Sequence, residues 1–310
     1  MTATVLSGPA EEFLTWLAVE QGRSANTLAA YRRDLAAYET YLADHHRHLL
    51  DADAALVDQY MASRRGDLSP ASAARALAAL RGLHRFLVVE GLAETDPTVD
   101  ARPPRRPVRL PKALDEDEVA ALIDAAAGSG PLERRDRAVL ELLYATGMRV
   151  SELVGLGLGD VRFETGLLRV VGKGDKQRLV PVGRLAAEAI EAWLAPGGRD
   201  ALTPLRWARR GDAEALFLNR RGRRLSRQGV WGLMKARAAG VGLENRVHPH
   251  VLRHSCATHM LAHGADIRVV QEVLGHASVA TTQVYTKVSM EHLRRSYEQA
   301  HPRAGRGRAK

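Results

Sequence analysis

The sequence predicts a mainly α-helical chain of two domains with one small β-hairpin in the second, an α+β protein in which strand is the minor part. Three observations predict it. Apolar residues recur every three or four positions between residues 9 and 91, and no alternating run interrupts them. A basic stretch from Asp96 to Lys112 holds five of the thirteen prolines, which opposes helix and favours an extended linker. Two short β-prone runs, Leu167 to Val171 and Gln177 to Val182, flank Gly172-Lys173-Gly174-Asp175-Lys176, and glycine tolerates the backbone angles of a tight hairpin turn. A length of 310 residues suits two domains, each long enough to bury a core. The boundaries expected are 1–95, a linker over 96–112, a second domain over 113–300 and a basic tail over 301–310.

Taken in order, Pro9 opens a first helix carrying Phe13, Leu14, Trp16 and Leu17. Ser24 or Asn26 can cap a second, whose Leu28, Tyr31, Leu35, Tyr38 and Leu42 form one stripe. A third helix runs near Ala54 to Ser63. Ser69 and Pro70 start a fourth, lined by Leu77, Leu80, Leu83, His84 and Leu87, which ends at Gly91. Arg32, Arg33, Arg64, Arg65, Arg75, Arg81 and Arg85 are spread over these helices, and none is assigned a contact.

In the second domain, Asp115 and Glu118 have capping-box spacing. A helix over roughly 132 to 145 stops near Gly147, and Arg149 follows before a further cap expected at Ser151 with Glu152. An arginine just past a helix break can project from a rigid scaffold, or it can pair with Glu152 or Asp160. Pro196 to Glu214 reads as an extended loop. Leu225 to Ala239 reads as a helix whose Arg227, Gln228, Lys235 and Arg237 are candidate phosphate or groove contacts.

A formal charge of +9 and a pI near 10.0 call for a polyanionic partner, with nucleic acid foremost. The single cysteine, Cys256, excludes an intrachain disulfide and fits a reducing cytoplasm. Core packing is expected for it rather than reactivity. The start MTATVLSGPAEEF has neither the charged nor the apolar region of a secretory signal, and no apolar run is long enough for a membrane span.

The densest chemistry lies in Val247 to Lys287, which contains six of the twelve histidines. Pro249 suits a first helical turn and Gly264 a stop, so His250 and Arg253 share one face of a helix over about 249 to 263. A second helix, about Asp266 to Leu274, ends at Gly275, next to His276. Nine residues further, Tyr285 stands among threonines, which argues against simple burial. Arginine forks bind non-bridging phosphate oxygens, and a phenol, with a reference pKa of about 10, needs a base to attack at neutral pH. His250 could be that base, so the set suits phosphodiester cleavage without metal or cofactor. The spacing of His250, His254, His259 and His263 also suggests zinc, but the first and last pairs point to opposite sides of the helix, and no cysteine pair exists.

HPHVLRHSCATHML, VVQEVLGHASVATTQVYT and HLRRSYEQAHPRA resemble the tyrosine recombinase (phage integrase) family, in particular its Xer branch, with a lean towards the XerD type. ATGMRVSELVGL matches the family's first arginine at Arg149, and VVGKGDKQRLVPV its hairpin lysine at Lys173; Lys176 is chemically similar, and only the resemblance selects Lys173. The resemblance implies a SAM-like core-binding helical domain that clamps DNA, followed by a catalytic domain. It also implies these roles: Tyr285 as nucleophile of a 3′-phosphotyrosyl intermediate, Arg149 and Arg253 on the phosphate, His250 as base, Lys173 as acid and His276 as hydrogen-bonding support. The implied partners are double-stranded DNA at a dif-like site, a tetramer formed with a paralogous Xer recombinase, and an FtsK-type translocase. The implied task is resolution of chromosome dimers, with integration of a phage or other mobile element as the alternative. In the family the C-terminal segment docks into a neighbouring protomer. From residues alone, a non-cleaving DNA-binding module would share the basic groove but would not need Tyr285, both arginines and Lys173 together.

Overall fold

A computed structural model describes residues 6–102, 113–172, 176–275 and 287–305. The chain divides into two units, Met1–Arg109 and Leu110–Lys310. The first is helical. It comprises α1 (Gly8–Val19), α2 (Ala25–Asp44), α3 (Ala54–Ser63) and α4 (Pro70–Val89). Ser24, Asp53 and Ser69 cap α2, α3 and α4, each accepting a hydrogen bond from a backbone N–H of the first turn. The apolar stripes meet in one core, where Phe13, Trp16 and Phe86 pack mutually, and Tyr38 packs on Tyr60. Gly82 lets α1 approach α4, since a Cβ there would stand 2.8 Å from the Phe13 ring.

Several arginines of this unit are occupied by the protein itself. Arg75 forks onto buried Asp34 at 2.8 and 3.0 Å, Arg32 pairs with Glu11, and Arg81 donates to the Ala101 carbonyl. Arg33, Arg65 and Arg85 are exposed and form no ion pair among the described residues. The start of the expected linker is also engaged. Asp96 accepts from the Thr98 N–H and hydroxyl at 2.8 and 2.6 Å, Thr98 is buried, and Ala101 joins the core. The rest of that stretch, residues 103–112, lies outside the described residues.

The second unit is built around α6 (Pro131–Thr146), which is buried along nearly its whole length. Around it lie α5 (Glu116–Asp124), α8 (Arg184–Leu194), α9 (Arg227–Ala239) and α10 (Pro249–Ala262). The Asp115 and Glu118 capping box forms as its spacing predicts, at 2.8 and 3.0 Å. After α7 (Val150–Gly155), a three-stranded antiparallel sheet runs β1 (Val161–Arg162), β2 (Leu167–Val171), β3 (Gln177–Pro181), with Leu168 opposite both Val161 and Val180. The hairpin was predicted from its sequence. The first strand and α8 were not, although Ala186, Ala189, Ile190 and Trp193 of α8 have helical spacing and are buried.

Pro196 to Glu214 departs from the expected extended loop. It contains two 3-10 turns, Asp200–Leu202 and Arg210–Asp212, and Arg199 anchors it by donating to the carbonyls of Ala213 and Ala215 at 2.6 and 3.0 Å. The chain closes with α11 (Ile267–Leu274) and α12 (Lys287–Ala300). Leu293, Tyr297, His301 and Ala304 are buried in this same unit, and Arg303 forks onto buried Glu141 of α6. The described part of the tail is therefore folded onto its own domain. Among the described residues, no helix is long and apolar enough to cross a membrane.

Candidate active site

The site begins where α6 ends. Gly147 takes the left-handed conformation (φ 56°) and turns the chain sharply, so that Arg149 becomes the N-cap residue of α7. This corrects the cap expected at Ser151. Glu152 reaches back to accept the Arg149 N–H at 2.8 Å, the return half of a capping box, and an arginine side chain has no acceptor for the other half.

Glu152 is the buried pivot of the site. Its Oε1 accepts from Arg149 Nη1 at 3.0 Å, while Arg178 of β3 donates Nη1 to Oε1 and Nη2 to Oε2, both at 2.9 Å. Burial alone would raise this carboxyl. The Arg178 fork, its charge and the two hydrogen bonds from Arg149 outweigh burial and hold Glu152 below the ordinary carboxylate range. Of the two partners open to Arg149 in the sequence, Glu152 is the one used. Asp160 instead accepts from Arg169 Nε at 2.7 Å and from the Gly157 N–H at 2.8 Å.

Arg253 arrives from α10, which packs against α6. Its Nη1 donates to the Gly147 carbonyl at 2.7 Å, joining residues 106 apart in sequence. Its guanidinium is pushed down to about 10, first by burial and then by the nearby charge of Arg149, with Glu152 opposing and Arg178 adding to the shift. Arg149 and Arg178 thus share one buried carboxylate, and Arg253 lies near enough to feel their charges. Such a cluster with surplus positive charge is a seat for an anion that accepts several N–H donors.

His250 stands exposed one turn before Arg253 on the first turn of α10. Its ring lies 6.2 Å from that of His248, which stacks on Trp231 at 5.9 Å. Arg149, His250 and Arg253 are therefore placed by α6, α7 and α10. Lys173, His276 and Tyr285 lie outside the described residues. Two other tyrosines of this unit are sealed: Tyr144 is hydrogen-bonded to His259 Nδ1 at 2.8 Å, Tyr144 and Tyr297 are each 1% exposed, and burial raises both phenols. Cys256 is fully buried and its thiol is pushed up to about 12 by desolvation, in keeping with core packing.

Two residues of this cluster escaped the sequence reading as site residues, Arg178 and Glu152 as its pivot. A lone arginine within a β-prone run was the available signal for the first. Of the groove candidates on α9, Arg227, Gln228 and Lys235 are exposed, whereas Arg237 is committed to Asp136 at 2.9 and 2.7 Å and is removed from that group. Among the described residues no cluster of histidine, cysteine or carboxylate groups could hold a metal ion.

Comparison with known proteins gives the family. The Phage integrase family model matches residues 112–292, and the phage integrase N-terminal SAM-like domain matches residues 10–91. Tyrosine recombinase XerD of Mycobacterium leprae is 48% identical over 321 residues, covering 98% of this chain and all of that protein. Tyrosine recombinase XerD of Mycobacterium tuberculosis is 50% identical, covering 94% of this chain and 96% of the other. Two solved structures share the fold. XerH recombinase in a post-cleavage complex with palindromic difH has a TM-score of 0.68 at 22% identity, covering 93% of this chain and 83% of that one. A lambda integrase tetramer on a Holliday junction has 0.68 at 21%, covering 91% and 79%.

Proposed function

Given that the chain belongs to the phage integrase family of tyrosine recombinases, we propose that Tyr285 is the nucleophile with which this site-specific DNA recombinase opens and reseals the DNA backbone. In this reading a scissile phosphate sits on Arg149 and Arg253, whose forks hold its non-bridging oxygens and offset the charge that grows on them in the transition state. His250 takes the phenol proton, the tyrosyl oxygen bonds to phosphorus, and the bond to the 5′ oxygen breaks. Lys173 returns a proton to that leaving oxygen, and His276 hydrogen-bonds to the developing charge. The 3′-phosphotyrosyl link conserves the bond energy, so attack by a 5′ hydroxyl of a second strand reverses the step without nucleotide hydrolysis.

The observation that carries the proposal is the Gly147 clasp. It brings the α10 arginine to the helix end that presents Arg149, whose guanidinium shares the buried Glu152 with Arg178 and leaves positive charge to spare. Double-stranded DNA is the substrate, gripped by a helical domain and a catalytic domain, and exchange between two duplexes needs four protomers. The relatives named XerD support a recombinase of the Xer type; in this reading it resolves chromosome dimers in the cytoplasm at a dif-like site, with a paralogous Xer recombinase as co-subunit and an FtsK-type translocase as regulator.

The test is a nicked suicide duplex carrying the host's dif-like site, located by footprinting the chromosome terminus. Wild type forms a covalent adduct that survives denaturing electrophoresis. Tyr285→Phe binds the same duplex with unchanged affinity and forms none. An adduct from the phenylalanine variant overturns the assignment.

A further inference from the structure

We propose that Arg178 is a positioning residue of the cleavage reaction, acting through Glu152 on Arg149 and steadying the backbone next to Lys173 and His276. The inference rests on the roles proposed above for those three residues.

Its first support is the fork itself. Arg178 is largely buried, with 11% of its side chain exposed, and it grips both oxygens of Glu152 at 2.9 Å. A planar guanidinium that bonds both oxygens fixes the rotation of the carboxylate, which a point charge cannot do. The carboxylate so fixed aims Oε1 at Arg149 Nη1 and Oε2 at the Arg149 N–H, at 3.0 and 2.8 Å. Side chain and backbone of the proposed phosphate ligand are therefore set by an oxygen pair whose plane Arg178 determines.

The second support is independent and concerns backbone. Gly275 closes α11 at φ 67°, and a Cβ there would lie 2.8 Å from both Cζ and Nε of Arg178. The guanidinium is in effect the floor on which that residue rests, and His276 is the next residue. On the hairpin side, a Cβ on Gly172 would lie 3.6 Å from Glu152 Oε1 and 3.8 Å from Arg178 Nη1. Lys173 follows directly. One guanidinium thus holds Arg149 through one carboxylate and lies against Gly275 and beside Gly172, the residues that precede His276 and Lys173 in the chain. At metal sites, outer partners that orient a ligand in this way are worth about 10- to 100-fold in affinity or activity, and the same scale is expected here.

The experiment compares Arg178→Gln and Arg178→Lys with wild type in the full-length protein on the nicked duplex, reading affinity and single-turnover adduct formation separately. Affinity is expected within threefold of wild type for both. Adduct formation is expected to fall about 10- to 100-fold for the glutamine variant and by less for the lysine variant, which keeps charge but loses the fork. With Glu152→Gln measured as the second single variant, the double variant Glu152→Gln/Arg178→Gln is expected to be no slower than the slower of the two singles, because both act through one device.

Adducts within threefold of wild type in both Arg178 variants overturn the inference. So does equal loss of affinity and rate, or a double variant whose losses multiply. If the glutamine variant does not fold, the lysine variant decides by the same criteria. Tyr285→Phe run alongside separates the two levels: adducts from it remove the proposed nucleophile and this inference with it, whereas a blank there with wild-type rates at position 178 removes only Arg178.

Discussion

Cys256 follows Arg253 by three residues on α10, and burial drives the two groups in opposite senses, the guanidinium down to about 10 and the thiol up to about 12, because in each case the charged form is the one penalised. The expected outcome is that a disulfide reagent releases no thiolate equivalent from native protein at neutral pH and one equivalent after denaturation. Prompt stoichiometric release in native buffer would mean that α10 is not packed as described. At this scale the sequence was readable where chemistry is local. The three-residue spacing of His250 and Arg253 required only a helix, and Glu152 was one of two acceptors within reach of Arg149. Arg178 was not readable as a site residue, since its partner lies 26 positions back and only the folded sheet brings them together.

Helix ends decide the next scale. Gly147 was legible as a stop, because helices commonly end on a glycine in the left-handed conformation. That the position tolerates nothing larger was not legible. A Cβ there would stand 2.4 Å from Leu274 Cδ2 and 3.3 Å from Cys256 Sγ, contacts set by α10 and α11 from the far end of the chain. Gly147→Ala is therefore expected to lower stability by about 1–3 kcal/mol in urea titration, through crowding and a strained φ. The same change is expected to slow adduct formation more than it weakens DNA binding, because the displaced carbonyl is the acceptor of Arg253. The loop over 196–214 was misread for a related reason. Its order comes from Arg199 reaching carbonyls 14 and 16 residues on, a contact that composition does not announce.

For the whole molecule, two helical stripe sets separated by a proline-rich stretch sufficed to anticipate two units, and the split between Arg109 and Leu110 falls inside that stretch. Where the first unit stops was harder to see, because Asp96 and Thr98 fold the beginning of the stretch back onto the core. The first unit also carries a pH liability. Buried His84 is pushed down to about 4 by desolvation, with Asp96 opposing, while its Nε2 lies 3.2 Å from the Tyr38 hydroxyl. The unfolded chain takes up this proton near 6.5 and the folded one does not. Stability from the neutral ring is thus full above pH 6.5, declines as pH falls towards 4 and then levels off, a loss on the order of 3 kcal/mol. Urea titrations of the full chain at pH 7.5, 5.5 and 4.5 are expected to show that decline, and His84→Gln is expected to remove this part of it. Equal pH dependence in both proteins would assign the loss to other groups.

The clasp between Arg253 and Gly147 also has a meaning for synthesis. A ribosome releases the Gly147 turn 106 residues ahead of the arginine that closes on it, and the proposed nucleophile emerges later still. A nascent polypeptide therefore carries a half-built phosphate cradle until α10 has emerged, so the proposed site can close only late in synthesis.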